Sequence, residues 1–126
     1  KTLVTFHHTA LGDTETIKYS KPGVGRIKSD QPHGRSTMPV RVNTLDSYNI
    51  QDVDFIKIDV EGDEQSVLQG AVETLEACQP IVVLEQNHAT EKYGKGKYGD
   101  AVRWLEKNQY KIIDYDGMDD WIMAHV

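Results

Sequence analysis

The order of its apolar runs predicts an α/β domain for this chain. From residue 53 to residue 108 strand, helix, strand and helix follow one another, and a strand pair closes the chain. That alternation is the pattern of helices packed on a largely parallel sheet. Two stretches carry the prediction. Residues 53–60 are nearly continuous in apolar character apart from Asp54, Lys57 and Asp59, as in a buried parallel strand. Residues 63–78 then place Val67, Leu68, Ala71, Val72, Leu75 and Cys78 at helical spacing on one face.

The remaining elements follow from local chemistry. Residues 3–10 alternate weakly and hold β-branched and aromatic side chains, which predicts a first strand with one of His7 and His8 facing the core. Gly12-Asp13 turns the chain into a second short strand at 15–20. Glycine, proline and serine make residues 21–38 a loop or loose hairpin. A strand at 40–43 leads into a turn or short helix at 45–49, with Asp46 and Ser47 as caps. Within the 63–78 helix, Gly70 costs about 1 kcal/mol relative to alanine, which close packing of helix on sheet would explain. Gln79-Pro80 ends that helix and residues 81–84 form the next buried strand. Residues 88–99 read as a polar loop, and Asp100 as the cap of a helix carrying Ala101, Val102, Trp104 and Leu105. The strands at 110–115 and 120–125 are joined at Asp116-Gly117, a hairpin turn.

The chain of 126 residues has the size of one domain. With 14 basic and 20 acidic side chains its net charge is −6, which argues against a nucleic-acid partner. Lys92, Lys95 and Lys97 read as solvating their loop. The single cysteine, Cys78, excludes an internal disulfide and fits a reducing, cytoplasmic setting; at a helix end it reads as a small apolar residue. No apolar run approaches the roughly 20 residues needed to span a membrane, and no signal-peptide pattern is present. The first residue is lysine, so the natural reading frame is expected to begin elsewhere.

The acids of Asp59-Val60-Glu61-Gly62-Asp63-Glu64 carry the functional reading. Open α/β sheets bind ligands outside the carboxyl ends of their strands, which is where these acids fall. The positive end of the following helix accounts for Asp63 and Glu64, at a few tenths to about 1 kcal/mol each. Asp59 lies within the last turn of the strand, where a buried carboxylate needs partners or a function. For Glu61 both readings stay open.

The stretches Val42-Asn43-Thr44-Leu45-Asp46-Ser47, Ile56-Lys57-Ile58-Asp59-Val60-Glu61-Gly62-Asp63-Glu64, Val67-Leu68-Gln69-Gly70-Ala71 and Pro80-Ile81-Val82-Val83-Leu84-Glu85 occur in this order. Together they resemble the C-terminal half of FkbM-type methyltransferases, a family of S-adenosylmethionine-dependent O-methyltransferases. The resemblance implies a single domain, residues 1–126, forming part of a Rossmann-like methyltransferase sheet with a C-terminal antiparallel strand pair. The family's sheet order resembles 3-2-1-4-5-7-6, and the first two strands and the glycine-rich loop would be absent. Gly23-Val24-Gly25 does not replace that loop, because no strand precedes it and no helix follows. Loss of two inner strands exposes sheet edges, so the chain should close the gap within itself or form a homo-oligomer.

By the same resemblance, Asp59, Glu61 and Glu85 are candidate catalytic residues, and Ala10, Leu11 and Asp59 the candidate cofactor contacts; His88, three residues after Glu85, joins the catalytic candidates as the histidine near this cluster. Methyl transfer to oxygen needs a positioned hydroxyl, a proton acceptor and an aligned cofactor. His88 suits a base because an unperturbed histidine titrates near about 6.5, although a surface-loop histidine is the competing reading. Ala10 and Leu11 fit a core role equally well. No metal ligand set is assigned, but Asp59, Glu61, Asp63, Glu85 and His88 leave Mg²⁺ open. Trp104 and Trp121 read as core anchors, while His33 and His125 have no context. The expected partner is a small-molecule or glycan hydroxyl acceptor, a sugar or polyketide, with no nucleic acid and no membrane. The alternative is a non-catalytic α/β module derived from a truncated methyltransferase, which the missing glycine loop favours. A Mg²⁺-dependent hydrolase on the same carboxylates lacks any nucleophile motif.

Overall fold

A computed structural model describes residues 3–23, 32, 37–93 and 96–126. His33, Lys95 and the Val24-Gly25 part of the glycine pair lie outside the described residues. The described strands form two sheets. The smaller holds β1 (Ala10–Leu11), β2 (Thr16–Ser20) and β3 (Met38–Asn43) in the order β1-β3-β2. The larger holds β4 (Phe55–Ile58), β5 (Ile81–Glu85), β6 (Tyr110–Tyr115) and β7 (Asp120–His125) in the order β4-β5-β7-β6. β4 and β5 are parallel, with Ile56 opposite Val82 and Ile58 opposite Leu84; β7 runs antiparallel to both β5 and β6.

The helices α1 (Glu64–Gln69), α2 (Val72–Cys78) and α4 (Asp100–Lys107) supply Val67, Leu68, Ala71, Leu75, Ala101, Val102 and Leu105 to one core. That core meets the sheet face carrying Ile58, Val82, Leu84, Tyr110 and Met123. Successive residues of a strand point to opposite faces, so Phe55 and Ile81 belong to the other face, where they remain 58 % and 42 % exposed. The sequence predicts burial on both faces for this strand, and the structure gives an edge strand with one open face. Trp104 and Trp121 pack against the core as expected.

Several local expectations change. The strand expected at 3–10 reduces to Ala10–Leu11, parallel to β3; Leu3, Val4 and Phe6 are exposed, and among the described residues no strand pairs with them. Neither His7 nor His8 faces the core, since both are exposed. His7 rests on Tyr48 with ring centroids 4.5 Å apart, and the Tyr48 hydroxyl also holds Thr9 and Asn43. β2 and β3 pair antiparallel; most of the segment read as a loop or loose hairpin, residues 24–31 and 33–36, lies outside the described residues. The 88–99 stretch contains a short helix, α3 (Ala89–Tyr93). Asp100 is the first residue of α4 rather than its cap, which is Gly99; its carboxylate turns back to accept the Lys97 N–H at 2.6 Å. The β6–β7 hairpin forms as predicted, its turn held by Asp116 Oδ1, which accepts the N–H groups of Met118, Asp119 and Asp120.

The single helix expected at 63–78 is two helices, broken at Gly70-Ala71. The cause is the smaller sheet. A Cβ at Gly70 would overlap the carbonyl oxygen of Gly12, in the turn between β1 and β2, and would meet the Thr44 side chain at 3.2 Å. The close packing inferred at Gly70 is therefore against a backbone turn and not against the sheet. The break frees N–H groups at the start of α2. Asp46, expected to cap its own short 3-10 turn (Asp46–Tyr48), reaches across instead and accepts from the N–H groups of Glu73 and Thr74 and the Thr74 hydroxyl, at 3.0, 2.9 and 2.8 Å.

Two substitutions test this junction. Gly70→Ala should destabilise by about 1–3 kcal/mol because the methyl group displaces the Gly12 turn. Helix propensity alone would instead stabilise it by about 1 kcal/mol, so the sign of the change in urea denaturation decides. Asp46→Ala should cost about 1–2 kcal/mol in the same assay, as for loss of a helix cap, with Asp46→Asn recovering part of it.

Candidate functional site

The carboxyl ends of β4 and β5 lie side by side, because Ile58 pairs with Leu84. Beyond β4 the chain must turn from a strand into α1 within a few residues. It does so through Glu61 at φ 56° and Gly62 at φ 117°. The second angle is in a region that side chains rarely adopt, so the glycine answers a backbone need. Glu61 holds a left-handed conformation that costs about 1–2 kcal/mol for an ordinary L-residue, and surrounding bonds must enforce it.

The enforcing group is Glu64, read from the sequence only as a complement to the helix end. Its carboxylate is buried, at 2 % exposure, where the helix-end reading would leave it solvated. Oε1 accepts the Gly62 N–H at 2.7 Å and Oε2 accepts the Thr90 hydroxyl at 3.2 Å. One side chain thus ties the turn after β4 to α3, in the segment after β5. The acid three residues after Glu61 is visible in the sequence, but Thr90, its distant partner, is not.

Asp59 corrects in the opposite direction. It follows the last residue of β4 and its side chain is 43 % exposed, so it is not a buried strand carboxylate. Alternation puts it on the open face with Lys57, whose Nζ lies 3.8 Å from its Oδ2. Glu85, at the end of β5, joins them on that face, and its register partner Asp120 completes the group. Sequence reasoning missed Asp120 and Lys57, since only the antiparallel docking of β7 on β5 brings Asp120 to Glu85.

The electrostatics of this cluster centre on Glu85. Desolvation is the first cause holding its pKa above the usual 4.5; the charge and hydrogen bonding of nearby Asp59 and the charge of Asp120 add to it, against Lys57. Asp59 from the end of the neighbouring strand and Asp120 from across the register both disfavour a negative charge on Glu85. A carboxyl group raised this way is a better proton acceptor near neutrality than an isolated one.

The other expected residues lie around this cluster. Glu61 is exposed on the turn. His88 is exposed; its ring stacks on Tyr98 at 5.1 Å and its Nδ1 lies 3.7 Å from Glu91 Oε2. The groups acting on Glu85 are Asp59, Asp120 and Lys57, and His88 is not one of them. Ala10 and Leu11 are half-buried, and Leu11 packs against the core. Leu11, Leu45, Ile56, Ile58 and Val60 line an apolar groove of about 330 Å³ between the smaller sheet and the free edge of β4. Among the described residues no group of three or more His, Cys, Asp or Glu side chains is placed to hold a metal ion. The carboxylates that left Mg²⁺ open are therefore not drawn together as ligands. His125 packs edge-on against Tyr110.

An α/β domain with acids at the carboxyl ends of adjacent parallel strands has the general form of a ligand-binding sheet. The family model for the methyltransferase FkbM domain matches residues 1–112, and the chain belongs to that family. Its fold is similar to the crystal structure of methyltransferase FkbM from Methylobacillus flagellatus KT, with TM-score 0.60 and 22 % identity. The match covers 96 % of this chain and 28 % of that one, so this chain spans under a third of the solved chain's length. A search of curated proteins gave no match. No described helix is long and apolar enough to cross a membrane.

The Glu85 environment gives a pH test. Its folded pKa lies above 4.5, so the native state binds this proton more tightly than the unfolded chain. Its contribution to stability is therefore fully present at low pH and falls as pH rises from 4.5 through the folded value. Glu85→Gln should gain thermal stability relative to the parent as pH is raised from about 4 to about 8. A Tm difference that does not change with pH would remove the perturbed Glu85 from this account.

Proposed function

We propose that this chain forms the C-terminal part of an S-adenosylmethionine-dependent O-methyltransferase acting on a hydroxyl of a small-molecule or glycan acceptor, a sugar or a polyketide. The observation that carries the reading is the Asp59–Glu85 carboxyl pair at the adjoining ends of β4 and β5. In this reading the pair takes the proton of the acceptor hydroxyl. Lys57 offsets the paired negative charge, and Glu64 fixes the turn that carries Glu61. The order β4-β5-β7-β6 supports the assignment, because the sheet order of the family ends 4-5-7-6.

The residues present fit only part of the cofactor. Leu11 and Val60 offer an apolar wall and Asp59 a carboxylate. Among the described residues no strand runs through a Gly-x-Gly turn into a helix, the element that would hold the methionine end. No step of the transfer is therefore assigned to this chain beyond handling the acceptor's proton. The missing turn favours a second reading, a non-catalytic α/β module derived from a methyltransferase. The free edge of β4 is where further strands of a longer chain, or a second copy, would pair. A reducing, cytoplasmic setting suits the lone Cys78.

Titration calorimetry with S-adenosylhomocysteine separates the two. Binding at about micromolar Kd means the chain supplies a working cofactor site. No heat at millimolar ligand supports the module reading and places the cofactor site outside this chain.

A further inference from the structure

A cavity between the smaller sheet and α1 has no part in the reading above. Its volume is about 350 Å³, and Lys18, Asp13, Asp63, Gln65, Ser66 and Gln69 line it. That size suits a small ligand.

Lys18 stands there against the hydrophobic pattern. Residues directly opposite in an antiparallel pair share a face, so Lys18, opposite Val40, lies on the face of Val42. Val42 is buried beside Gly12, where a Cβ would meet its Cγ1 at 2.9 Å, so this face looks toward the helical layer. Ile17 falls on the other face and is 57 % exposed. A pairing shifted by one residue would bury Ile17 and send Lys18 to solvent. The observed register forgoes that burial and holds an ammonium in the cavity.

The charges around the cavity are not paired with one another. Among the described residues Lys18, Asp13 and Asp63 form no ion pair and no side-chain hydrogen bond. Asp63 precedes α1 without making the capping bond. Asp100, which also lines the cavity, is already held by the Lys97 N–H and by Arg103. Ser66 Oγ accepts the Asp13 N–H at 3.1 Å, which leaves its own proton to donate. The carboxamides of Gln65 and Gln69 can donate and accept.

A ligand that completes these groups carries both signs. Lys18, with the hydroxyl and carboxamide donors, suits a carboxylate, while Asp13 and Asp63 suit an ammonium. A phosphate would meet the two aspartates and a diamine would meet the lysine, and like charges in contact disfavour both. We propose that this cavity binds the α-amino carboxylate group of an amino acid, its carboxylate on Lys18 and its ammonium on Asp13 and Asp63. The site goes beyond the methyl-transfer reading and does not depend on it.

Calorimetry of this chain tests the proposal and separates two sources of the group. The probes are the common L-amino acids, S-adenosylhomocysteine, which ends in the same group, and putrescine and succinate, which carry one sign each. At least one amino acid, or S-adenosylhomocysteine, should bind with a Kd of about 1 mM or below. Putrescine and succinate should bind at least about tenfold more weakly. Lys18→Met keeps the apolar stem and should weaken the best probe about tenfold or more, and Asp63→Asn should do the same, because each leaves a ligand charge unpaired. Thermal melts establish that the variants fold, and either folded variant suffices. Binding of a free amino acid with these losses identifies it as the ligand; binding of S-adenosylhomocysteine alone, with the same losses, assigns the cavity to the amino-acid end of a larger molecule. The proposal is overturned if neither binds, if putrescine or succinate binds equally well, or if a folded variant binds undiminished. Amino-acid binding without S-adenosylhomocysteine binding would remove the methyl-transfer reading and leave this site standing.

Discussion

The contact between the backbones of Gly12 and Gly70 governs how this chain is put together. It brings the turn of the smaller sheet so close to the helical layer that no side chain fits between them. The helix expected to run unbroken must part there, and Asp46 then serves the N-terminus created by the break. Further bonds fasten the junction: Asp46 N–H to the Gly70 carbonyl, Gly12 N–H to the Asn43 carbonyl, and Asp13 N–H to the Ser66 hydroxyl. Since α1 is fixed at this end, and at its other end by the Glu64 carboxylate, the acidic turn after β4 has little freedom.

That rigidity sets the electrostatics at the strand ends. Placing Asp59, Glu85 and Asp120 on one open face concentrates negative charge that Lys57 partly offsets. The fold tolerates the arrangement because the face is partly solvated and Lys57 offsets part of the charge. The helix-covered face shows the opposite solution, where Val82, Leu84 and Met123 are fully buried among aliphatic side chains. A sheet with one dry face and one wet, charged face suits chemistry on the wet side. The proposed function uses that side for the acceptor's proton.

How much of this was legible in the sequence differs by residue. The terminal hairpin and its Asp116-Gly117 turn, the strands expected at 53–60 and 81–84 and the amphipathic stretch at 63–78 could be read, because each depends on local turn chemistry or on hydrophobic pattern. The motif order carried the family. Residues 3–9 misled, since alternation makes a strand only where a neighbour supplies hydrogen bonds, and among the described residues β1 pairs only at Ala10 and Leu11. Asp59 and Glu64 exchanged their expected environments. Both are acids close to a strand end, and nothing local says which one turns inward to Thr90.

The sequence by itself determined the fold class, the family and the strand end at which the acids gather, because these follow from hydrophobic period and from residues adjacent along the chain. Only the tertiary structure decided that Glu85 faces Asp120, that Glu64 is the buried carboxylate, and that Gly70 divides the helix. Each of those depends on a partner from 26 to 58 residues away. Such partners meet only when whole elements dock, and docking is set by the shape and charge of complete faces rather than by any short run of residues.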